Sequence, residues 1–161
     1  MPQVSVIVPI HNTASYLRAC VQSIINQTLL DIEIILVENA STDNSLELCH
    51  ELAATDHRIR VLHIDEADLS TARNAGVKIA QGAYVGFVDS DDYIEPQMYE
   101  LLYNAIEKNN CKLSVCNINY VYENGKTIVK VKNSVDEFFD FNQAIVEMNT
   151  FRLFDMGAWS K

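Results

Sequence analysis

Apolar runs alternate with amphipathic segments along the first 110 residues of the chain. Four short runs are almost wholly apolar and rich in β-branched residues, which is typical of parallel strands covered on both faces. These runs are VSVIVPI, IEIILVEN, IRVLHI and AYVGFV. After each run, apolar residues recur at helical spacing. These segments are SYLRACVQSIINQ, STDNSLELCHELAA, LSTARNAGVKIAQG and QMYELLYNAIEKNN. The pattern predicts the order βαβαβαβα, and hence an α/β fold with a doubly wound, mostly parallel sheet.

The pattern changes after Lys112. The segment LSVCNINYVYENGKTIVKV predicts two strands joined at Asn124-Gly125, a dipeptide typical of tight hairpins, and FNQAIVEMN predicts a short helix. The final segment, FRLFDMGAWSK, carries no terminating signal, so we expect a domain truncated at its C-terminus. With 161 residues, the chain is long enough for one domain, which we assign to residues 1–161, with a βα core at 1–110 and a distinct region at 111–161.

Capping residues predict where the helices begin. Thr13 or Ser15 is the expected N-cap of the first helix. Pro96 is expected in the first turn of the fourth helix. Asp92 or Glu95 is expected to cap the N-terminus of that helix.

The composition restricts the classes of protein to which this chain can belong. Hydrophobic residues make up 48% of the chain and charged residues 21%, as in a globular protein. The net charge of −10 disfavours nucleic acid as a partner but allows a small phosphorylated ligand bound through a cation. The four cysteines lack metal-site spacing, and neither a signal peptide nor a membrane span is evident. We therefore expect a cytoplasmic chain with reduced cysteines.

Polar residues gather where the four predicted strands end. In an open parallel sheet, ligands bind in the crevice beyond the carboxyl ends of the strands. The residues there are Pro9 to Asn12, Glu38 to Asp43, Asp65 to Asp68 and Asp89 to Asp92.

The most informative of these segments is DSDD, which contains Asp89, Asp91 and Asp92. Two unpaired carboxylates so close together raise each other's pKa, whereas a shared hard cation such as Mg²⁺ or Mn²⁺ relieves the repulsion and recruits phosphates. An EF-type calcium loop is disfavoured, because Tyr93 and Ile94 occupy positions that require oxygen ligands or glycine. An aspartyl-phosphate phosphatase is also disfavoured, because its motif usually follows the first strand.

Five ordered segments resemble the family two glycosyltransferases of the GT-A fold: VSVIVPIHN, SYLRACVQSIINQT, IEIILVENASTDNS, LSTARNAG and GAYVGFVDSDDYIEPQMYELL. MGAWSK is similar to a later segment of bacterial polysaccharide members. The resemblance implies metal-dependent sugar transfer, with inversion, from a nucleotide diphosphate sugar to an acceptor hydroxyl in bacterial surface polysaccharide synthesis. It makes residues 1–110 the donor-binding core and 111–161 the start of the acceptor-side region, with the general base beyond Lys161.

The resemblance also assigns residues to the nucleoside. Pro9, His11 and Asn12 match the loop that lines the nucleoside pocket, where the His11 ring can pack against the base. Glu38 and Asn39 replace the usual pair of aspartates. The Asn39 amide oxygen can still accept the uracil N–H, so a UDP-sugar is the favoured donor.

The remaining predicted site residues surround the diphosphate. Arg73 and Asn74 match polar positions near the donor. Ser90 is likewise expected to bind the donor nucleotide. Asp89 is expected to meet the ribose or the metal, and Asp91 to hold Mn²⁺ or Mg²⁺. In the third helix, Ala72, Ala75 and Gly76 are expected to let the helix lie close to the sheet; Ser41 to Asp43 are expected mainly to cap the second helix.

Three alternatives remain. A sugar-phosphate nucleotidyltransferase would share the fold but is expected to carry a glycine-rich basic loop after the first strand, where PIHNTASYL has neither glycine nor lysine. A donor-binding module inactive on its own predicts metal-dependent binding without transfer. A purely structural domain predicts no such binding. The expected acceptor is a glycan or lipid-linked hydroxyl, with membrane attachment through regions outside this chain.

Overall fold

The structure is a computed structural model that describes residues 1–116, 119–122, 127–129 and 157–160, the last two ranges as backbone. The first eight elements are β1 Val4–Ile10, α1 Ala14–Ile25, β2 Ile32–Asn39, α2 Ser45–Ala53, β3 Ile59–Ile64, α3 Leu69–Ile79, β4 Tyr84–Phe87 and α4 Met98–Asn109. Four short strands follow: β5 Leu113–Val115, β6 Asn119–Val121, β7 Thr127–Val129 and β8 Gly157–Ser160. The predicted alternation of strands and helices is confirmed.

A six-stranded sheet in the order β3-β2-β1-β4-β8-β5 forms the centre of the first compact unit, Met1–Ser114 with Ala158–Lys161. The strands β3, β2, β1 and β4 are parallel, whereas β8 pairs antiparallel with β4. The predicted mostly parallel, doubly wound sheet is therefore confirmed. The sequence pattern did not predict β8, because a strand of four residues is too short to show a period and is defined by its partner.

The core lies around β1 and β2, whose residues are all buried. Helix α3 packs on these strands through Ala72 and Gly76, as predicted from its small residues. A Cβ atom added at Gly76 would lie 2.5 Å from Cγ2 of Ile7, so the helix approaches β1 as closely as glycine allows.

The predicted start of the fourth helix is wrong. Helix α4 begins at Met98 with Gln97 at the N-cap position, so Pro96 lies outside it, and neither Asp92 nor Glu95 caps it through its side chain. Instead, the side-chain oxygen of Gln27 accepts the Tyr99 N–H at 3.0 Å. A residue distant in sequence thus supplies the cap, which no local pattern can reveal.

Thr13 is the N-cap residue of α1, as predicted, but it makes no side-chain capping bond. Its hydroxyl donates to Ser90 Oγ at 2.8 Å instead, linking the start of α1 to the loop after β4.

The second compact unit, Val115–Gly157, contains an antiparallel pair formed by β6 and β7. This pairing confirms the predicted hairpin, although its turn at Asn124-Gly125 and the predicted helix FNQAIVEMN lie outside the described residues. The predicted first strand of the hairpin is split, since β5 joins the six-stranded sheet. The single domain assigned to residues 1–161 stays a prediction. Within the described part of the chain, the helices are too short or too polar to cross a membrane.

Candidate functional site

A cleft of about 350 Å³ opens at the carboxyl ends of β1, β2 and β4. It is lined by Pro9, His11, Asn39, Ala67, Leu69, Asp89, Ser90 and Asp91. Six of these eight residues were predicted as donor-site residues from the sequence. The parallel topology brings them together, because each of the three strands ends at the same edge of the sheet.

His11 is exposed on the wall of the cleft, and its ring is fixed by two contacts. Its Nδ1 lies 2.7 Å from the backbone oxygen of Asn39, which can only accept, so Nδ1 carries the proton. Its Nε2 therefore accepts from the Asn12 amide at 3.1 Å. The histidine is not a buried core residue, and its ring is oriented beside the buried Asn39.

Asn12 joins the loop after β1 to the loop after β2. Its backbone has a φ of 55°, in the left-handed region, where asparagine is tolerated better than most residues. Its side-chain oxygen accepts the Thr42 N–H at 2.8 Å, and its own N–H donates to Ser41 Oγ at 3.1 Å. Asn12 therefore holds the two loops together and also contacts the His11 ring.

Asp43 connects the same loops to the helices. Its carboxylate accepts the N–H of Ser45, the first residue of α2, at 3.0 Å, and that of Ala14, the first residue of α1, at 3.1 Å. The predicted capping role of the segment Ser41 to Asp43 is confirmed for Asp43, although Asn44 occupies the N-cap position.

Asn39 carries the clearest sign of an absent partner. The residue is 3% exposed, and among the described residues none donates a hydrogen bond to its side-chain oxygen. Leaving a buried acceptor unpaired costs about 1–3 kcal/mol, so such atoms are rare in folded proteins. Because Asn39 lines the cleft, a ligand carrying an N–H group would remove this cost.

The aspartates after β4 are only partly neutralised. Arg73 donates to one oxygen of Asp89 at 2.7 Å and lies over the Phe87 ring at 5.9 Å. Asp91 and Asp92 are exposed, and their carboxylates accept no hydrogen bond from the described part of the chain. Partial burial, followed by the charges of Asp91 and Asp89, raises the pKa of Asp92. Negative charge thus remains available at the mouth of the cleft.

The carboxylate oxygens of the loop after β4 fit a divalent cation that also contacts a bound ligand. Within the described ranges, no group of three or more His, Cys, Asp or Glu side chains could hold a metal by itself. Mg²⁺, however, is commonly held by one or two carboxylates, with waters and phosphates completing its coordination. Asp91, together with the second oxygen of Asp89, provides such a donor set.

Three predicted residues lie outside the lining of the cleft: Asn12, Arg73 and Asn74. Arg73 reaches it only through Asp89, and Asn74 is exposed on α3 and is absent from the lining. Ala67 and Leu69 line the cleft but were not predicted as site residues. Their position after β3 was the available signal, but small and apolar side chains attract no attention in a search for polar groups.

A second cleft, of about 360 Å³, lies at the opposite edge of the sheet and contains Glu33, Arg58 and Arg60. Its two arginines are paired: Arg58 contacts Asp56 at 2.7 Å and Arg60 contacts Glu33 at 3.1 Å. It also lies at the amino ends of the strands. We therefore take the carboxyl-edge cleft as the candidate site.

Comparison with protein families gives a match to the model of glycosyl transferase family 2 over residues 5–159. The chain belongs to glycosyl transferase family 2. This confirms the family predicted from the five segments. As a family 2 chain, it has its DSDD segment and its orphaned asparagine at the edge of the sheet where nucleotides bind in open α/β folds.

Three similar proteins illustrate the relationship. The chondroitin synthase of Pasteurella multocida is 33% identical over 160 residues, which cover 99% of this chain and 17% of the synthase. S. aureus TarS in complex with UDP-GlcNAc superposes with a TM-score of 0.80 at 24% identity, covering 99% of this chain and 45% of that one. The mannosyltransferase PcManGT from Pyrobaculum calidifontis, in complex with GDP-Man and Mn²⁺, gives a TM-score of 0.63 at 25% identity. The match covers 71% of this chain and 35% of that one.

These likenesses confirm the GT-A fold for this family 2 chain. The chain spans less than two thirds of the length of the curated relatives that it matches. Its structure therefore describes part of the architecture that those relatives share.

Proposed function

We propose that the carboxyl-edge cleft binds a nucleotide diphosphate sugar, with a UDP-sugar favoured. The sugar is transferred with inversion to a hydroxyl of a glycan or lipid-linked acceptor, in bacterial surface polysaccharide synthesis. The observation that carries this proposal is the buried, unpaired oxygen of Asn39 in the same cleft as the exposed carboxylate of Asp91. Family membership supplies the chemistry, and the polymer synthesised by the chondroitin synthase named above supports the class of product.

In this proposal, Asn39 recognises the base. Its unpaired oxygen is an acceptor that matches the imide N–H of uracil. The His11 ring, fixed by the Asn39 backbone and by Asn12, provides a flat wall on which the base stacks. Pro9 completes this side of the cleft.

Asp89 and Asp91 have different roles. The Arg73 guanidinium occupies one oxygen of Asp89, which favours Asp89 as a partner for the ribose. Asp91 would hold Mn²⁺ or Mg²⁺, with the second oxygen of Asp89 able to assist, and Ser90 fixes the turn between them through Thr13. The Mn²⁺ in the PcManGT complex supports this choice of metal. When bound, the cation acts as a Lewis acid that offsets charge on the departing nucleotide.

The general base is expected beyond Lys161, in the acceptor-binding region. The proposed place of action is the cytoplasm, at the inner face of the membrane, with attachment through regions outside this chain.

Calorimetry with UDP tests the proposal. We expect UDP to bind more tightly in the presence of Mn²⁺ than with EDTA, and Asp91→Asn to reduce the affinity in Mn²⁺ by about tenfold or more, because one charged ligand of the cation is lost. Asp31→Asn is the matched control, since Asp31 is exposed at the opposite edge of the sheet. Unchanged Mn²⁺-dependent affinity in Asp91→Asn would contradict the metal assignment.

A second candidate is a donor-binding module that is inactive by itself. This chain matches only part of the length of its relatives, and this partial match favours the alternative. Metal-dependent UDP binding without sugar release from any UDP-sugar would support it, and turnover by the 161-residue chain would exclude it.

A further inference from the structure

Beside the cleft, three titratable side chains form a continuous chain that the proposed reaction does not use: Glu38, His63 and Asp65. Glu38 is 1% exposed near the end of β2, and His63 is its register partner on β3. His63 Nδ1 lies 2.5 Å from Glu38 Oε2, and His63 Nε2 lies 3.2 Å from Asp65 Oδ1. The imidazole thus bridges a buried carboxylate and an exposed one.

These contacts define the charge of the histidine. An ionised carboxylate only accepts hydrogen bonds, so a ring with a carboxylate at each nitrogen must donate from both and carries a positive charge. The hydrogen bond to Glu38, and secondarily the contact with Asp65, raise the pKa of His63. Burial opposes ionisation of Glu38, but the hydrogen bonds from Ser41 and His63 outweigh it and lower the pKa of Glu38.

Glu38 also holds the loop after β2, which directly follows the cleft residue Asn39. Its Oε1 accepts the Ser41 N–H at 2.6 Å, and Ser41 Oγ in turn accepts the Asn12 N–H at 3.1 Å. Between Glu38 and Ser41, Ala40 has a φ of 54°, a left-handed conformation that is unfavourable for alanine. The hydrogen bond to Glu38 therefore maintains a strained turn directly after Asn39.

We propose that Glu38, His63 and Asp65 form a positioning device, the His63 latch, which holds the loop after β2 in the conformation that binds the donor. The inference rests on the proposed function and deepens it, because it makes donor affinity depend on the charge of His63. None of the three side chains needs to contact the nucleotide; His63 acts through Glu38, the Ser41 amide and Asn12.

The groups around the latch give the direction of its pH dependence. Glu38 is faced by His63 from β3 and by Cys49 from α2, and Asp43 from the loop after β2 acts on the same Cys49. Burial, followed by the charges of Glu38 and Asp43, raises the pKa of Cys49 to about 12, so this thiol stays neutral. In the described part of the chain, His63 is thus the only cationic group that contacts Glu38.

The folded-state pKa of His63 is raised, so both donor bonds of the latch are present below the usual histidine pKa, and the ring loses one N–H and its positive charge as the pH rises through the raised value. Glu38 has a lowered pKa, so its carboxylate is protonated and loses its charge only in acid. We therefore expect the loop to be held firmly from mildly acidic to neutral pH and more weakly in alkali.

The test measures UDP affinity in Mg²⁺ by calorimetry from about pH 6 to about pH 9, a range that spans the expected titration. Affinity of the wild-type protein should fall by about fivefold across this range, and His63→Gln should have the low affinity throughout. The terminal phosphate of UDP titrates near pH 6, so the ratio of wild type to variant at each pH is compared. His57→Gln is the matched control, because its side chain is 94% exposed at the far edge and should leave the wild-type profile unchanged.

Asp65→Asn provides a second variant that does not threaten folding, since the Asp65 side chain is 99% exposed. Removing this carboxylate should move the midpoint of the affinity profile to lower pH without changing the affinity at the acidic end. Wild-type profiles for both His63→Gln and Asp65→Asn would overturn the latch. Absence of UDP binding by the wild-type protein at every pH would instead contradict the proposed function, and would withdraw this inference with it.

Discussion

At the scale of single residues, Asn39 combines a structural cost with a proposed role in binding the base. Its side chain is buried at the end of a central strand, yet its oxygen has no donor among the described residues. Its backbone oxygen is engaged by His11, so only the side-chain acceptor is open. A protein selected for stability alone would place an apolar residue here, because the unpaired acceptor lowers the stability of the free protein.

Asn39→Leu should therefore separate stability from binding. We expect the free energy of unfolding to stay unchanged or to rise by up to about 1 kcal/mol, because an unpaired buried acceptor is replaced by an apolar group of similar size. UDP affinity should fall by about tenfold, because the hydrogen bond to the base is lost. Denaturant titration and calorimetry check the two effects, and a destabilised variant that keeps wild-type UDP affinity would contradict the role of Asn39.

The sequence predicted which residues gather at this edge but not how they pair. Positions at strand ends follow from the strand pattern, so Pro9, His11, Asn39 and Asp89 were correctly expected at one edge. The bond from Arg73 to Asp89 links residues whose side chains meet only after folding. Likewise, no local pattern around Asn12 indicates that it ties two loops together.

At the scale of elements, the strands were predicted far better than the helix ends. The bounds predicted for β1, β2 and β3 agree with the structure, because buried runs are interrupted sharply by polar residues. The predicted start of α4 was wrong because Gln27, just beyond the end of α1, caps the helix. Capping by a distant side chain depends on tertiary structure and leaves no local pattern.

The close packing of α3 on β1 gives a prediction at this scale. Gly76→Ala should lower the free energy of unfolding by about 1–3 kcal/mol, because the new methyl group would lie 2.5 Å from a fully buried, β-branched Ile7. Asn74→Ala, on the exposed side of the same helix, is the control and should be neutral or slightly stabilising, because alanine is the better helix former. Thermal denaturation of both variants measures the difference, and equal stability of the two would show that α3 lies farther from the sheet.

At the scale of the whole molecule, the two edges of the parallel sheet differ in how their buried polar groups are paired. At the amino-terminal edge, Glu33 is buried and fully paired, accepting from Ser5, Arg60 and the backbone of Gln81 and Gly82. At the carboxyl edge, Asn39 and the exposed aspartates keep unused hydrogen-bonding capacity. The clefts at the two edges have nearly equal volumes. The candidate site is therefore distinguished by its buried acceptor without a hydrogen-bond donor among the described residues, and not by its size.

Line broadening by Mn²⁺ in amide NMR spectra tests this central claim most directly, because the paramagnetic ion broadens only nearby signals. With UDP present, substoichiometric Mn²⁺ should selectively broaden the amides of Asp89 to Asp92 and of Asn39, while those of Arg58 and Gln81 at the opposite cleft stay sharp. Without UDP, the same Mn²⁺ should broaden the carboxyl-edge amides much less, because the diphosphate completes the coordination. Selective broadening at Arg58 and Gln81, or a pattern that UDP does not change, would contradict the account.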